Sequence, residues 1–219
     1  MATAPVRHVV YLHGFASSPE SGKAQRFGRE LAALGVGFTA PDLNLPDFET
    51  LTTSRMLAQV HEAIAAVPEG PVAFVGSSLG AFVAVLAADA DRSGKVDRLI
   101  LLAPALDFGG NRLQQFGPHS VEEWRERGSL TVFHYALEAE REIRFDLYAD
   151  AAQYDALPLP TTRPTLVFQG THDDVVLPEM VSTWAEGRPL VDLHLVPDGH
   201  QLSTSMDDVW AASRVFLGV

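Results

Sequence analysis

A serine with glycine two residues before it and two after, Gly76-Ser77-Ser78-Leu79-Gly80, matches G-x-S-x-G. It follows the apolar run Val72–Val75 and precedes an alanine-rich stretch from about Leu79 to Ala90. Ser78 is therefore expected on a tight strand-to-helix turn, where flanking residues must lack bulk and the hydroxyl projects from the end of a sheet. A hydroxyl is a weak nucleophile near neutral pH; it needs a base beside it, and the base needs a group that fixes its tautomer. The competing reading is the glycine turn of a nucleotide-binding fold. Against it, no G-x-G-x-x-G follows the first strand, and G-x-x-x-x-G-K-[ST] is absent from the chain.

Of the eight histidines, His8 and His194 lie inside strand-like runs and His61 inside a helical stretch, where structural roles are simplest. His119 and His134 fall in a long segment that no strand positions. His200 follows the run Val191–Val196 and the turn Pro197-Asp198-Gly199, which brings it to the same sheet edge as Ser78. The acid should leave the preceding strand, where Phe168 to Val176 offers Asp173 and Asp174; Asp107, past the fourth strand, could also reach an imidazole. The same aspartates with His172 do not make a coordination set, so no metal is expected. An acyl-transfer site also needs donors for a developing oxyanion: the N–H of Leu79, at a helix N-terminus, and that of Phe15 in the loop His13-Gly14-Phe15. His13 is given no proton-transfer role.

These residues need a scaffold, and short apolar runs alternating with amphipathic stretches supply one. Strands are expected at His8–Leu12, Val36–Ala40, Val72–Val75, Arg98–Leu102, Thr165–Phe168 and Val191–Val196. Helices are expected from Ser18-Pro19-Glu20 to about Leu34, from Thr52 to Val67, from Leu79 to Ala90 and from Asp207 to Leu217. The pattern predicts an α/β three-layer sandwich, a mainly parallel six-stranded sheet with helices on both faces. About sixty residues separate the fourth and fifth strands, far more than a crossover needs. Residues 107–160 are read as an insertion, with one or two short helices in Glu122–Phe145 forming a small cap; the alternative is a crossover helix with a long loop. Phe116, Trp124, Phe133 and Tyr135 could line an acyl pocket there, or simply pack the cap.

Length and composition fit one domain over 1–219. A net charge of -12, with Lys23 and Lys95 the only lysines, disfavours nucleic acid and anionic membrane as partners. No cysteine is present, which removes disulfides and a thiol nucleophile. No leader-like segment or long apolar span is seen, and a cytoplasmic setting is expected.

His13-Gly14-Phe15, Gly76-x-Ser78-x-Gly80, Gly170-x-x-Asp173-x-Val175-Val176 and Gly199-His200, in that order, resemble the α/β-hydrolase superfamily. The opening Tyr11-Leu12-His13-Gly14-Phe15-Ala16-Ser17-Ser18-Pro19, with Lys23-Ala24 after it, further resembles a group of short bacterial esterases of uncharacterised type. The resemblance implies strand order 2-1-3-4-5-6, Ser78 as nucleophile, His200 as base, Asp173 rather than Asp174 as acid, and Phe15 with Leu79 as oxyanion donors. It implies a serine hydrolase of small or short-chain carboxylic esters, working through an acyl-enzyme without a cofactor; the modest insertion fits slender acyl groups. A thioesterase or acyl-protein deacylase would use the same residues on a thioester, and a binding module that kept the fold without turnover is the rival from another class. Oligomeric state is not legible.

Overall fold

A computed structural model describes residues 4–68 and 70–219. In chain order it forms β1 (His8–Leu12), α1 (Gly22–Ala33), β2 (Gly37–Thr39), α2 (Thr53–Ala66), β3 (Val72–Ser77), α3 (Leu79–Ala90) and β4 (Val96–Leu102). After β4 come two small antiparallel hairpins and two short helices: β5 (Gln115–Phe116) with β6 (His119–Ser120), α4 (Val121–Arg127), β7 (Ser129–His134) with β8 (Ala139–Arg144), and α5 (Asp146–Ala151). The chain then returns as β9 (Thr165–Gly170), α6 (Pro178–Ala185), β10 (Val191–Val196) and α7 (Met206–Leu217).

The main sheet has six parallel strands in the order β10-β9-β4-β3-β1-β2, which is 2-1-3-4-5-6 when only its own strands are counted. Alternation along each strand divides its side chains between two cores. Val10, Leu12, Phe74, Leu99, Leu101 and Val167 face α2, α3 and α6, while Val9, Tyr11, Val75, Ile100, Leu102 and Phe168 face α1 and α7. Both faces being covered, β3 is buried along its whole length, and α3 is apolar and buried from Leu79 to Ala88, reaching solvent only at Asp89 and Ala90. Each large side chain buried this way contributes about 1.5–3 kcal/mol. Arg98, the one charged side chain deep in β4, donates to Phe216 O (2.6 Å) and Ala4 O (2.8 Å) and to the Asp97 carboxylate (2.6 Å), so its charge is buried with partners.

Several boundaries differ from those expected. Helix α1 starts at Gly22, capped by Ser21, whose hydroxyl accepts from Ala24 N–H; Ser18 instead accepts from Glu20 N–H in a separate turn. Helix α6 had no counterpart in the sequence reading, although Pro178 at its first turn and buried Val181 and Trp184 mark it.

Of the one or two short helices expected in Glu122–Phe145, α4 is present; the rest of that range forms the β7–β8 hairpin, and α5 begins only after it, at Asp146. Leu130 and His134 of β7 are buried while Thr131 and Phe133 are exposed, a period of two that β-branched and aromatic residues favour in a strand. The hairpin lies at the carboxyl edge of the sheet: Tyr135 N–H donates to Ala16 O (2.9 Å) and Arg144 N–H to Glu49 O (3.0 Å), in loops that follow β1 and β2. Among the described residues no helix is long and apolar enough to cross a membrane.

Candidate active site

Ser78 caps α3 in a left-handed conformation, φ 53°, ψ -118°. For a residue with a side chain this costs about 1–3 kcal/mol and persists only where neighbours enforce it. Here Ser78 N–H donates to Leu102 O (2.9 Å), and Ser78 O accepts from Ala81 N–H (2.9 Å) and Ala105 N–H (3.3 Å). The flanking glycines follow from packing: a Cβ on Gly80 would lie 2.1 Å from Leu12 O, and one on Gly76 would lie 2.5 Å from Ala81 Cα. Helix α3 thus presses onto β1 and β3, and the hydroxyl is left projecting at the sheet edge.

His200 reaches it from the loop after β10. Its Nε2 accepts from Ser78 Oγ (3.0 Å), and its Nδ1 donates to Asp173 Oδ2 (2.9 Å). Because an ionised carboxylate only accepts, the proton belongs on Nδ1 and the free lone pair faces the serine. Asp173, not Asp174, makes this bond. Its Oδ1 accepts from Val175 N–H (2.9 Å) and Val176 N–H (2.8 Å), and Gln169 Nε2 donates to Oδ2 (3.0 Å). Burial pushes the Asp173 carboxyl up, but the bonds from His200, Val176 and Val175 outweigh it and hold it below the ordinary carboxylate range. Asp107, the third candidate, makes no bond to His200; its half-buried carboxyl is pushed up by burial.

The loop after β1 packs directly on the nucleophile turn: a Cβ on Gly14 would lie 3.3 Å from Ser78 Cβ. His13 braces this loop, its Nδ1 donating to Gly14 O (2.9 Å) and its Nε2 accepting from Leu43 N–H (3.0 Å). Among the described residues, neither the Phe15 nor the Leu79 amide is engaged in a turn or loop hydrogen bond. Two N–H groups on adjoining loops beside a serine are suited to receive an oxyanion.

The four insertion aromatics separate. Phe116 meets Phe15 edge-on, ring centres 5.0 Å apart, and Phe15 also lies 5.2 Å from Phe48. Trp124 stacks behind Phe116 (4.9 Å) but is fully buried, its Nε1 donating to Ile143 O (3.2 Å). Phe133 and Tyr135 are 51% and 69% exposed and pack on each other (5.4 Å). Among the other histidines, His8 bonds Thr39 Oγ1 (2.8 Å), His119 lies 3.4 Å from Glu123, His194 lies 3.2 Å from Asp192, and His134 is buried edge-on to Phe48.

Two supporting residues went unremarked in the sequence. Gln169 is a polar side chain in a buried strand, and that mismatch was the available signal. Asp198 is the other: its carboxylate accepts from Gly199 N–H (2.8 Å), Thr204 N–H (2.8 Å), Thr204 Oγ1 (2.8 Å) and Ser205 N–H (2.9 Å), organising the whole loop that carries His200. Partial burial opposes its charge, but these bonds bring its carboxyl down to about 2 from 3.8. Its contribution is therefore complete above the unfolded value and is lost as pH falls through about 2. Asp198→Asn is expected to cost about 1–2 kcal/mol at pH 7. In denaturant unfolding the gap to wild type should narrow near pH 2; an equal gap at both pH values would contradict this role.

A family model described as an uncharacterised protein family, UPF0227, matches residues 8–215. Palmitoyl-protein thioesterase ABHD10, mitochondrial, of Bos taurus is 27% identical over 176 residues, 77% of this chain. The chain spans 57% of that relative's length. The solved structure of alpha/beta hydrolase domain-containing protein 10 from mouse superposes with a TM-score of 0.72 at 25% identity, over 96% of this chain and 92% of that one. Ferulic acid-bound Est1E of Butyrivibrio proteoclasticus has a TM-score of 0.83 at 19% identity, over 97% and 88% of the two chains, a likeness of fold.

Proposed function

Because the chain belongs to the uncharacterised protein family UPF0227 and has the α/β-hydrolase fold, we propose that it is a serine hydrolase cleaving short-chain carboxylic esters. The observation that carries this is the unbroken hydrogen-bond chain Ser78–His200–Asp173, at 3.0 and 2.9 Å. His200 takes the Ser78 proton as Oγ attacks the carbonyl carbon. The tetrahedral oxyanion is received by the Phe15 and Leu79 amides, and the imidazolium returns its proton to the departing alkoxide. Water, deprotonated by the same imidazole, then releases the carboxylic acid and restores Ser78. The reaction needs no cofactor. The partner is a small ester or thioester, and the charge of -12 argues against nucleic acid or anionic membrane.

We place the acyl group against Phe15 and Phe116, with Trp124 supporting the wall from behind and Phe133 and Tyr135 reached only by longer chains. Phe116→Ala opens this wall, and is expected to shift kcat/KM about tenfold toward p-nitrophenyl octanoate relative to acetate. Unchanged selectivity across acetate, butyrate and octanoate removes Phe116 from the pocket.

The second reading is a thioesterase or acyl-protein deacylase, favoured by the likeness to a palmitoyl-protein thioesterase. Oxygen and sulfur esters of one acyl group, compared by kcat/KM, separate the two. No turnover of either, with no labelling by a fluorophosphonate, would instead indicate a binding module.

A further inference from the structure

His200 must hold two hydrogen bonds at once, and the loop that presents it is not in a relaxed conformation. Two residues beyond it, Leu202 is buried with φ 53°, a left-handed conformation costly for a leucine. Asp198 braces this loop from within. From outside, Lys23 Nζ donates to Gln201 O (3.1 Å) and to Gln201 Oε1 (3.3 Å), gripping the residue next to the base across 178 positions of sequence. Lys23 stands on a firm platform. Ser21 caps α1 just before it, Arg26 pairs with Asp207 (2.8 Å), and Phe27 meets Trp210 edge-on (5.6 Å), so α1 is fixed against α7.

We propose that Lys23 is a positioning residue for His200: through its two hydrogen bonds to Gln201 its ammonium group clamps the loop that carries the base. This rests on the serine-hydrolase reading above. The charged groups around it are Asp173 from the loop after β9 and Asp198 from the loop after β10; on its own helix, Arg26 is committed to Asp207 and Glu30. Burial lowers the Lys23 ammonium to about 8, against the pull of Asp173 and Asp198. Above that pH the amine is neutral and attracts neither carboxylate, so the clamp loosens where an ordinary lysine would still be charged.

The test is the pH profile of p-nitrophenyl butyrate hydrolysis by wild type, Lys23→Met and Lys23→Arg, with melting temperatures and fluorophosphonate labelling of each. Wild-type kcat should fall through about pH 8 on the alkaline side. K23M should lose about ten- to a hundredfold in kcat with KM little changed, and lose that alkaline fall; K23R, charged throughout, should keep more activity than K23M and move the fall upward by at least about one pH unit. A lysine that only stabilises the fold would lower the melting temperature and leave the profile in place, and that result overturns the proposal. Wild-type kcat and profile in K23M also overturn it. If K23M does not fold, the position of the K23R alkaline fall decides. Wild type that labels with fluorophosphonate but shows no fall near pH 8 defeats the Lys23 proposal alone; wild type that neither labels nor turns over defeats the hydrolase reading beneath it.

Discussion

Ser78→Ala is expected to lower kcat for p-nitrophenyl butyrate by about 10⁶, and His200→Ala by a similar factor. The two residues act as one unit: without the imidazole the hydroxyl keeps its proton, and without the hydroxyl the imidazole has nothing to activate. The double variant should therefore be scarcely worse than either single one. S78A leaves the Cβ, the positive φ and the backbone bonds to Leu102, Ala81 and Ala105 in place, so its melting temperature should stay close to that of wild type. A rate within tenfold of wild type in either alanine variant would remove these residues from the chemistry.

Asp173→Asn is expected to cost about 10⁴ in kcat. Each Asp173 oxygen accepts twice, Oδ1 from the Val175 and Val176 amides and Oδ2 from Gln169 and His200. An asparagine must turn its NH₂ toward one of those pairs of donors. Facing the amides, it opposes two N–H groups; facing Gln169 and His200, it forces the imidazole into the wrong tautomer, with its proton toward Ser78. Asp174→Asn should leave kcat near wild type, since the carboxylate bonded to His200 is that of Asp173. The lowered Asp173 carboxyl also sets a sign: its charge, and the support it gives His200, persists above the ordinary carboxylate value of 3.8 and is lost as pH falls through its lower folded value. Equal losses from D173N and D174N, measured as kcat at pH 7, would contradict the assignment.

The parallel sheet could be read in advance because its strands are short, apolar on both faces and separated by clear breaks, and because Gly76 and Gly80 sit where only a Cβ-free residue lets α3 approach β1. The meeting of His200 with Ser78 was legible from one fact of topology, that a residue following the last strand shares an edge with one following the third. The carboxylate that bonds His200 was narrowed to two neighbours by the same reasoning, but the choice between them depends on Val175 and Val176 folding back onto Asp173, a local loop geometry that residue types alone leave open. The β7–β8 hairpin was read only as part of a helical cap because its few apolar residues are interspersed with charges, and short periods are ambiguous. Helix α6 escaped because its eight residues give few repeats of a 3.6 period, although Pro178 marked its start. Phe133 and Tyr135 looked like Phe116 as letters; only tertiary packing sends one ring to the Phe15 loop and leaves the other two exposed. Lys23 and Gln201 lie too far apart in sequence for any pattern to join them.

The most direct measurement is mass spectrometry of the intact and digested protein after reaction with a fluorophosphonate. A single adduct on the peptide containing Ser78, absent from Ser78→Ala and slowed in His200→Ala, is the expected result. An unmodified Ser78, or an adduct that forms equally well in Ser78→Ala, would show that the nucleophile lies elsewhere or that there is none.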